Sequence, residues 1–193
     1  MSGKTMDLDD LKTDSTKRGK RGLHFILASV IIWCAITGVW LLPIENILTK
    51  NLLTFCCTAL LVPLAFVISG IIKAEFSLSD NPLSSLGLLF SLNQFLYILI
   101  AMWVYPTVPG KMVMVLAIIF GAHLLPFGWL YSSKAYSVMA VLIPLTALTI
   151  GILFEAVAVS IAMVVAEMLF CIWLTSENKI FDTGAGRGKE IRP

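Results

Sequence analysis

Two ionisable side chains stand inside otherwise apolar runs, Glu167 within Glu155 to Leu174 and His123 within Met112 to Tyr131. A carboxyl or imidazole placed in hydrocarbon is costly unless it faces protein or water, so each is a candidate for holding a solute or a proton. Asn93 and Gln94 lie near the middle of a third apolar run, and Tyr97 follows one turn later on their face. At 1.5 Å of rise per residue the four polar groups Asn93, Gln94, His123 and Glu167 fall at a similar depth. If their helices meet, they form one cluster, with Glu167 as proton acceptor, His123 as its partner and the amides and Tyr97 as further ligand or proton-binding candidates. Such a set binds and releases protons near neutral pH.

The competing use of the same residues is structural. A buried Glu hydrogen-bonded to His123, Asn93 or Gln94 holds helices together without binding anything. Ala158, Ala162 and Ala166 repeat every four residues, a ladder that permits close helix contact, and Ala156, Ser160, Met163 and Glu167 form the neighbouring stripe. Both patterns predict a last helix packed inside a bundle, with Glu167 turned towards protein.

Other chemistry finds no residues to carry it. HExxH, GxSxG, P-loop and GxGxxG patterns are absent, and no Ser, Asp or Cys completes a catalytic set, so no enzyme is expected. Cys34, Cys56, Cys57 and Cys171 sit in apolar runs without a CxxC pair or a histidine at ligand spacing. They read as small apolar side chains, and no metal or other cofactor is expected.

The elements that must position these residues follow from hydropathy. The chain has 193 residues, 58% hydrophobic and only 13% charged, too apolar to cover a water-facing surface. A bilayer core of about 30 Å needs about 20 apolar helical residues. That length divides the chain into Leu23 to Leu42, Leu52 to Ile72, Leu86 to Tyr105, Met112 to Tyr131, Ala135 to Leu153 and Glu155 to Leu174. The last two are separated by only Gly151 and the charge of Glu155. One helix over both would run about 60 Å, so a tight hairpin is expected there, with one span plus a re-entrant piece as the alternative.

The expected fold is therefore all-α, a polytopic transmembrane bundle of six spans. Residues 1–22 form a basic N-terminal segment, 23–174 the bundle and 175–193 a disordered tail. Twelve Lys and Arg fall on the side of both termini and only Lys50 and Lys111 on the other, which places both termini in the cytoplasm. Trp40, Trp103, Tyr105, Trp129, Tyr131, Tyr136 and Trp173 fall near span ends, where amphipathic rings sit. Acidic residues open the segment 7–21 and basic ones close it, as suits a short helix on the inner leaflet. The expected partners are the lipid bilayer, with anionic lipids at the basic segment, and a small solute or proton; nucleic acid is not expected, and oligomeric state is left open. His24 reads as a solvated interfacial anchor.

The stretches Arg21-Gly-Leu-His-Phe-Ile-Leu-Ala-Ser-Val-Ile-Ile-Trp33 and Phe120-Gly-Ala-His-Leu-Leu-Pro-Phe-Gly-Trp-Leu-Tyr131 resemble an uncharacterised family of small bacterial integral membrane proteins, over residues 7 to 175. The resemblance implies a multi-helix bundle in a bacterial plasma membrane and transfers no site residues. Two functions follow from the residues themselves. One is binding or transport of a small solute, linked to protons. The other is a non-transporting scaffold or accessory protein whose intramembrane polar groups only specify packing.

Overall fold

The computed structural model describes residues 7–190, with side chains through residue 183 apart from that of residue 95. The described residues are helical, with no strand among them, and six helical spans are long and apolar enough to cross a membrane. The amphipathic α1 (Leu8–Arg18) leads through a 3₁₀ turn into α2 (Leu23–Leu41). The second span is α3 (Ile47–Ala59) with α4 (Leu61–Ile72), and the third is α5 (Pro82–Thr107). The fourth joins α6 (Met112–His123) to α7 (Leu125–Leu130), followed by α8 (Lys134–Leu153) and α9 (Ala156–Glu190).

Caps and prolines set the boundaries. Asn46, Asn81 and Ser133 each accept a hydrogen bond from a first-turn N–H of the helix they precede, and Pro82 follows Asn81 at the position where a missing N–H costs nothing. These caps start the second and third spans four or five residues earlier than hydropathy alone placed them. Pro63 and Pro126 each lack the N–H that would bond four residues back, and the helices break just before them, at Leu60 and Leu124. Pro144 lies within an unbroken α8.

The fifth and sixth spans form the tight hairpin, turning at Phe154 in extended conformation. Gly151 is not part of that turn. It lies inside α8, where a Cβ would stand 2.4 Å from Met114 Cγ, so it is a contact glycine that brings α8 against α6. Gly121 does the same from α6, its missing Cβ 2.5 Å from Pro144 Cδ, and Gly128 from α7 against Ser137. Close approach of this kind draws dispersion contact from helices that gain nothing by leaving lipid for one another.

Around that seam the core gathers Ile36, Val113, Ile143, Val159 and Phe170 from four helices. On α9 the buried stripe is Ala156, Ser160, Met163, Glu167 and Phe170, while Ala162 and Ala166 are only half-buried. The helix therefore packs through the stripe beside the alanine ladder, with Glu167 towards protein as expected. By contrast α5 is peripheral, packing on α6 and α7 and presenting Leu89, Leu96, Leu99 and Trp103 outward.

The end of the bundle carrying the bases is tied by polar contacts. The Arg18 guanidinium donates to Glu75 at 2.6 and 2.9 Å, to Asp80 at 2.8 Å and to Asp14 at 3.3 Å, while Asn81 donates to the Leu11 carbonyl. Bonded to Arg18, the carboxyls of Glu75 and Asp80 are held below their ordinary range. Lys12 sits 3.6 Å over the Trp129 ring and Lys20 Nζ donates to the Ile72 carbonyl. Much of the basic segment thus turns onto the protein, and α1 lies docked across the helix ends.

The last helix corrects the expected boundary at residue 175. It runs on as α9, and Glu177 accepts from Ser133 Oγ at 2.6 Å and the Ala135 N–H at 2.9 Å, while Asn178 accepts from Arg21 at 2.7 Å. A charged stretch read as solvated is the partner that a nearly buried arginine needs. Residues 191–193 of that expected tail lie outside the described residues, as do residues 1–6 of the N-terminal segment.

Candidate functional site

The polar residues singled out by sequence divide into three places. Glu167 is fully buried, and its Oε2 lies 2.5 Å from Ser29 Oγ on α2; Oε1 has no partner among the described residues. Ser29 Oγ also lies 2.9 Å from the Ile26 carbonyl. Ser29 has one hydroxyl hydrogen and two acceptors within reach, so both contacts are hydrogen bonds at once only when the carboxyl carries the second hydrogen. Glu167 therefore joins α2 to α9 through Ser29, and His123 is not its partner.

Asn93 and Tyr97 form the second place. Asn93 Nδ2 donates to Tyr97 Oη at 3.0 Å on the exposed face of α5, away from the interior. His123 and Gln94 form the third, on the wall of a cavity of about 410 Å³. His123 ends α6 at the break before Pro126, and its Nδ1 lies 2.5 Å from the Phe120 carbonyl. A carbonyl only accepts, so Nδ1 holds the hydrogen and Nε2 is left as the acceptor.

The cavity lies beneath the loop joining α4 to α5. Its inner wall comes from α2, α6, α7 and α8 through Phe25, Phe120, Phe127, Tyr131 and Tyr136, and Ser15 and Gly19 of the N-terminal segment reach its mouth. Its size is within the range of about 300–1,000 Å³ typical of small-molecule sites. It exists because α5 splays from α4: the clamp of Arg18 on Glu75 and Asp80 fixes the loop, while α5 leans on α6 and α7 instead.

The residue that sequence reading placed wrongly is His24. It is 2% exposed and lines this cavity, its ring 4.5 Å from Phe25 and 5.5 Å from Phe76 by centroid. Neither ring nitrogen has a hydrogen-bond partner among the described residues. The turn Lys20–Gly22 accounts for this placement. Lys20, Arg21 and Gly22 all have positive φ, and Tyr136 Oη donates to the Arg21 carbonyl at 2.9 Å, which swings the start of α2 inward. A signal was present in the chain. Ala28 and Ser29, small residues in a run of Ile, Leu and Val, mark the protein-facing side of α2 one turn after His24.

Among the described residues no group of three His, Cys, Asp or Glu side chains is placed to hold a metal ion. No curated protein and no solved structure matches the chain. A family model does match, over residues 8–177, and the protein, helical with membrane-span-like segments, belongs to that family, described as a family of unknown function (DUF7010).

Proposed function

We propose that this protein binds a small solute inside the membrane, in the cavity under the α4–α5 connection, and does no covalent chemistry on it. The observation that carries this reading is His24, an imidazole nearly devoid of exposure that lines a cavity with neither nitrogen paired among the described residues. A buried polar group without a partner costs about 1–3 kcal/mol, and a bound molecule offering a donor and an acceptor removes that cost. Gln94 and His123 on the same wall supply further hydrogen-bonding groups. In this reading they contact the solute, whereas Glu167 acts on the α2–α9 seam, where any proton it exchanges alters helix packing. The excess of Lys and Arg at the end holding both termini supports a cytoplasmic placement of that end, and the sequence resemblance supports a bacterial plasma membrane.

The test is thermal unfolding of the purified protein in lipid nanodiscs against a panel of solutes at pH 6 and pH 8, for wild type and His24→Phe. Phenylalanine keeps the ring packing on Phe25 and Phe76 and removes the unpaired nitrogens, so the variant should unfold at the same temperature or higher. A solute that stabilises wild type and not the variant supports the reading. If no solute distinguishes the two proteins, binding at this cavity is refuted and the scaffold function takes its place.

A further inference from the structure

Resting on the binding reading above, we infer that the cavity takes an uncharged single-chain amphiphile bearing a hydroxyl head. Its wall is polar at one end and mainly apolar further along. Ser77, Ser79 and Ser85 edge it at the end of the bundle where α1 docks, and Leu61, Val62, Leu88 and Leu92 line it along α4 and α5, with Ser91, Gln94 and His123 the polar side chains of that part. Val62, Leu88 and Leu92 are also half exposed on the outer surface of their helices, at 52%, 61% and 50%. The same side chains thus face the cavity and the acyl chains, so the lower half of the site is continuous with the hydrocarbon of the bilayer. An alkyl tail exchanges the hydrocarbon of the bilayer for this wall at little cost and stays out of water along its length, so the hydrogen bonds made by the head decide binding.

Charge selects the head. Among the described residues no Lys or Arg lines the cavity to meet an anionic head. The one carboxylate on its wall among the described residues, Glu75, already accepts two hydrogen bonds from Arg18, so a cationic head would have to compete with a guanidinium. A neutral imidazole is one donor and one acceptor, and a hydroxyl is both. Hydroxyls of the head therefore satisfy the two nitrogens of His24 that have no partner among the described residues, with the rim serines beside them. The volume sets the length: at about 30 Å³ per non-hydrogen atom, the share of a water molecule in the liquid, 410 Å³ holds roughly fourteen such atoms. That is a medium chain on a small polyol.

The experiment uses the full chain in lipid nanodiscs with 1-monooctanoylglycerol as the probe. Octanoate and octylamine carry similar tails on charged heads, and glycerol is the head without a tail. Binding is read by native mass spectrometry and by the unfolding temperature, for wild type and Gly87→Leu. Gly87 lines the cavity from α5, and a Cβ there meets only Leu130 Cδ2 at 3.4 Å, so the larger side chain projects into the space while favouring the helix. The expected result is one probe molecule per chain, bound at least tenfold more tightly than octanoate, octylamine or glycerol, and at least tenfold more weakly by Gly87→Leu.

Equal or tighter binding of either charged analogue overturns the neutral-head assignment. Equal binding of all the amphiphiles by wild type and variant is partition into the bilayer and overturns the site for amphiphiles. If a water-soluble solute alone stabilises wild type and loses its effect in Gly87→Leu, this inference fails and the binding reading survives. If nothing responds to Gly87→Leu, both fall.

Discussion

Ser29 Oγ on α2 stands 2.5 Å from Glu167 Oε2 on α9, and it is the only hydrogen bond that the buried carboxyl makes among the described residues. The bond is asymmetric in its consequences. Removing the hydroxyl strands a carboxyl in the core, whereas removing the carboxyl leaves Ser29 bonded to the Ile26 carbonyl. Ser29→Ala should therefore cost about 1–3 kcal/mol, and Glu167→Gln, which donates to Ser29 in the same place, within about 1 kcal/mol of wild type. In a Glu167→Leu background Ser29→Ala should cost much less. Unfolding free energies in mixed micelles of wild type, Glu167→Gln, Ser29→Ala, Glu167→Leu and the last two combined check this, and additive effects of Ser29→Ala and Glu167→Leu would refute the coupling.

The docking of α1 depends on charge. The carboxyls of Glu75 and Asp80 are held below their ordinary values of 4.5 and 3.8, so their contribution to docking is complete above those values and is lost as pH falls below them. Amide hydrogen exchange of residues 8–18 should be slow and constant from pH 8 to pH 5, after correction for intrinsic rates, and should quicken once pH falls below about 4. Arg18→Gln should show the quickened exchange already at pH 7. A wild-type segment that exchanges at the intrinsic rate at pH 7 would contradict the clamp.

Contact between α6 and α8 rests on a missing Cβ. Gly121→Ala would place a carbon 2.5 Å from Pro144 Cδ and 2.7 Å from Ile143 Cγ2, both on α8, where Ile143 is buried. The expected cost is about 1–3 kcal/mol. Gly70→Ala in α4 meets nothing within 4 Å and is the control, neutral or stabilising by up to about 1 kcal/mol. Thermal unfolding of both variants in detergent decides it.

Truncation separates the two parts of the C-terminal segment. Ending the chain after Thr183 keeps Glu177 and Asn178 against Arg21, Ser133 and Ala135, and should leave the unfolding temperature unchanged. Ending it after Leu174 removes those partners from an arginine of which 7% is exposed, at a cost of about 1.5–3 kcal/mol. Equal stability of the two truncations would mean that the extension of α9 contributes nothing.

The number of spans, their approximate places and the hairpin between the fifth and sixth were legible in the chain, because satisfying every backbone group in lipid demands helices of a set length. Glu167 facing protein was legible too, from the stripe of small and polar residues it shares. What the chain could not reveal was the partner of each polar side chain. Depth along a helix is a one-dimensional quantity, and Asn93, Gln94, His123 and Glu167 agree in it, yet rotation about each helix axis sends Asn93 outward, Gln94 and His123 to a cavity and Glu167 to Ser29. His24 shows the same limit, since its burial follows from a left-handed turn and a tyrosine more than a hundred residues away. Hydropathy reports the cost of leaving water, which is local; partner choice is decided by helix rotation and close approach, which only the packed bundle sets.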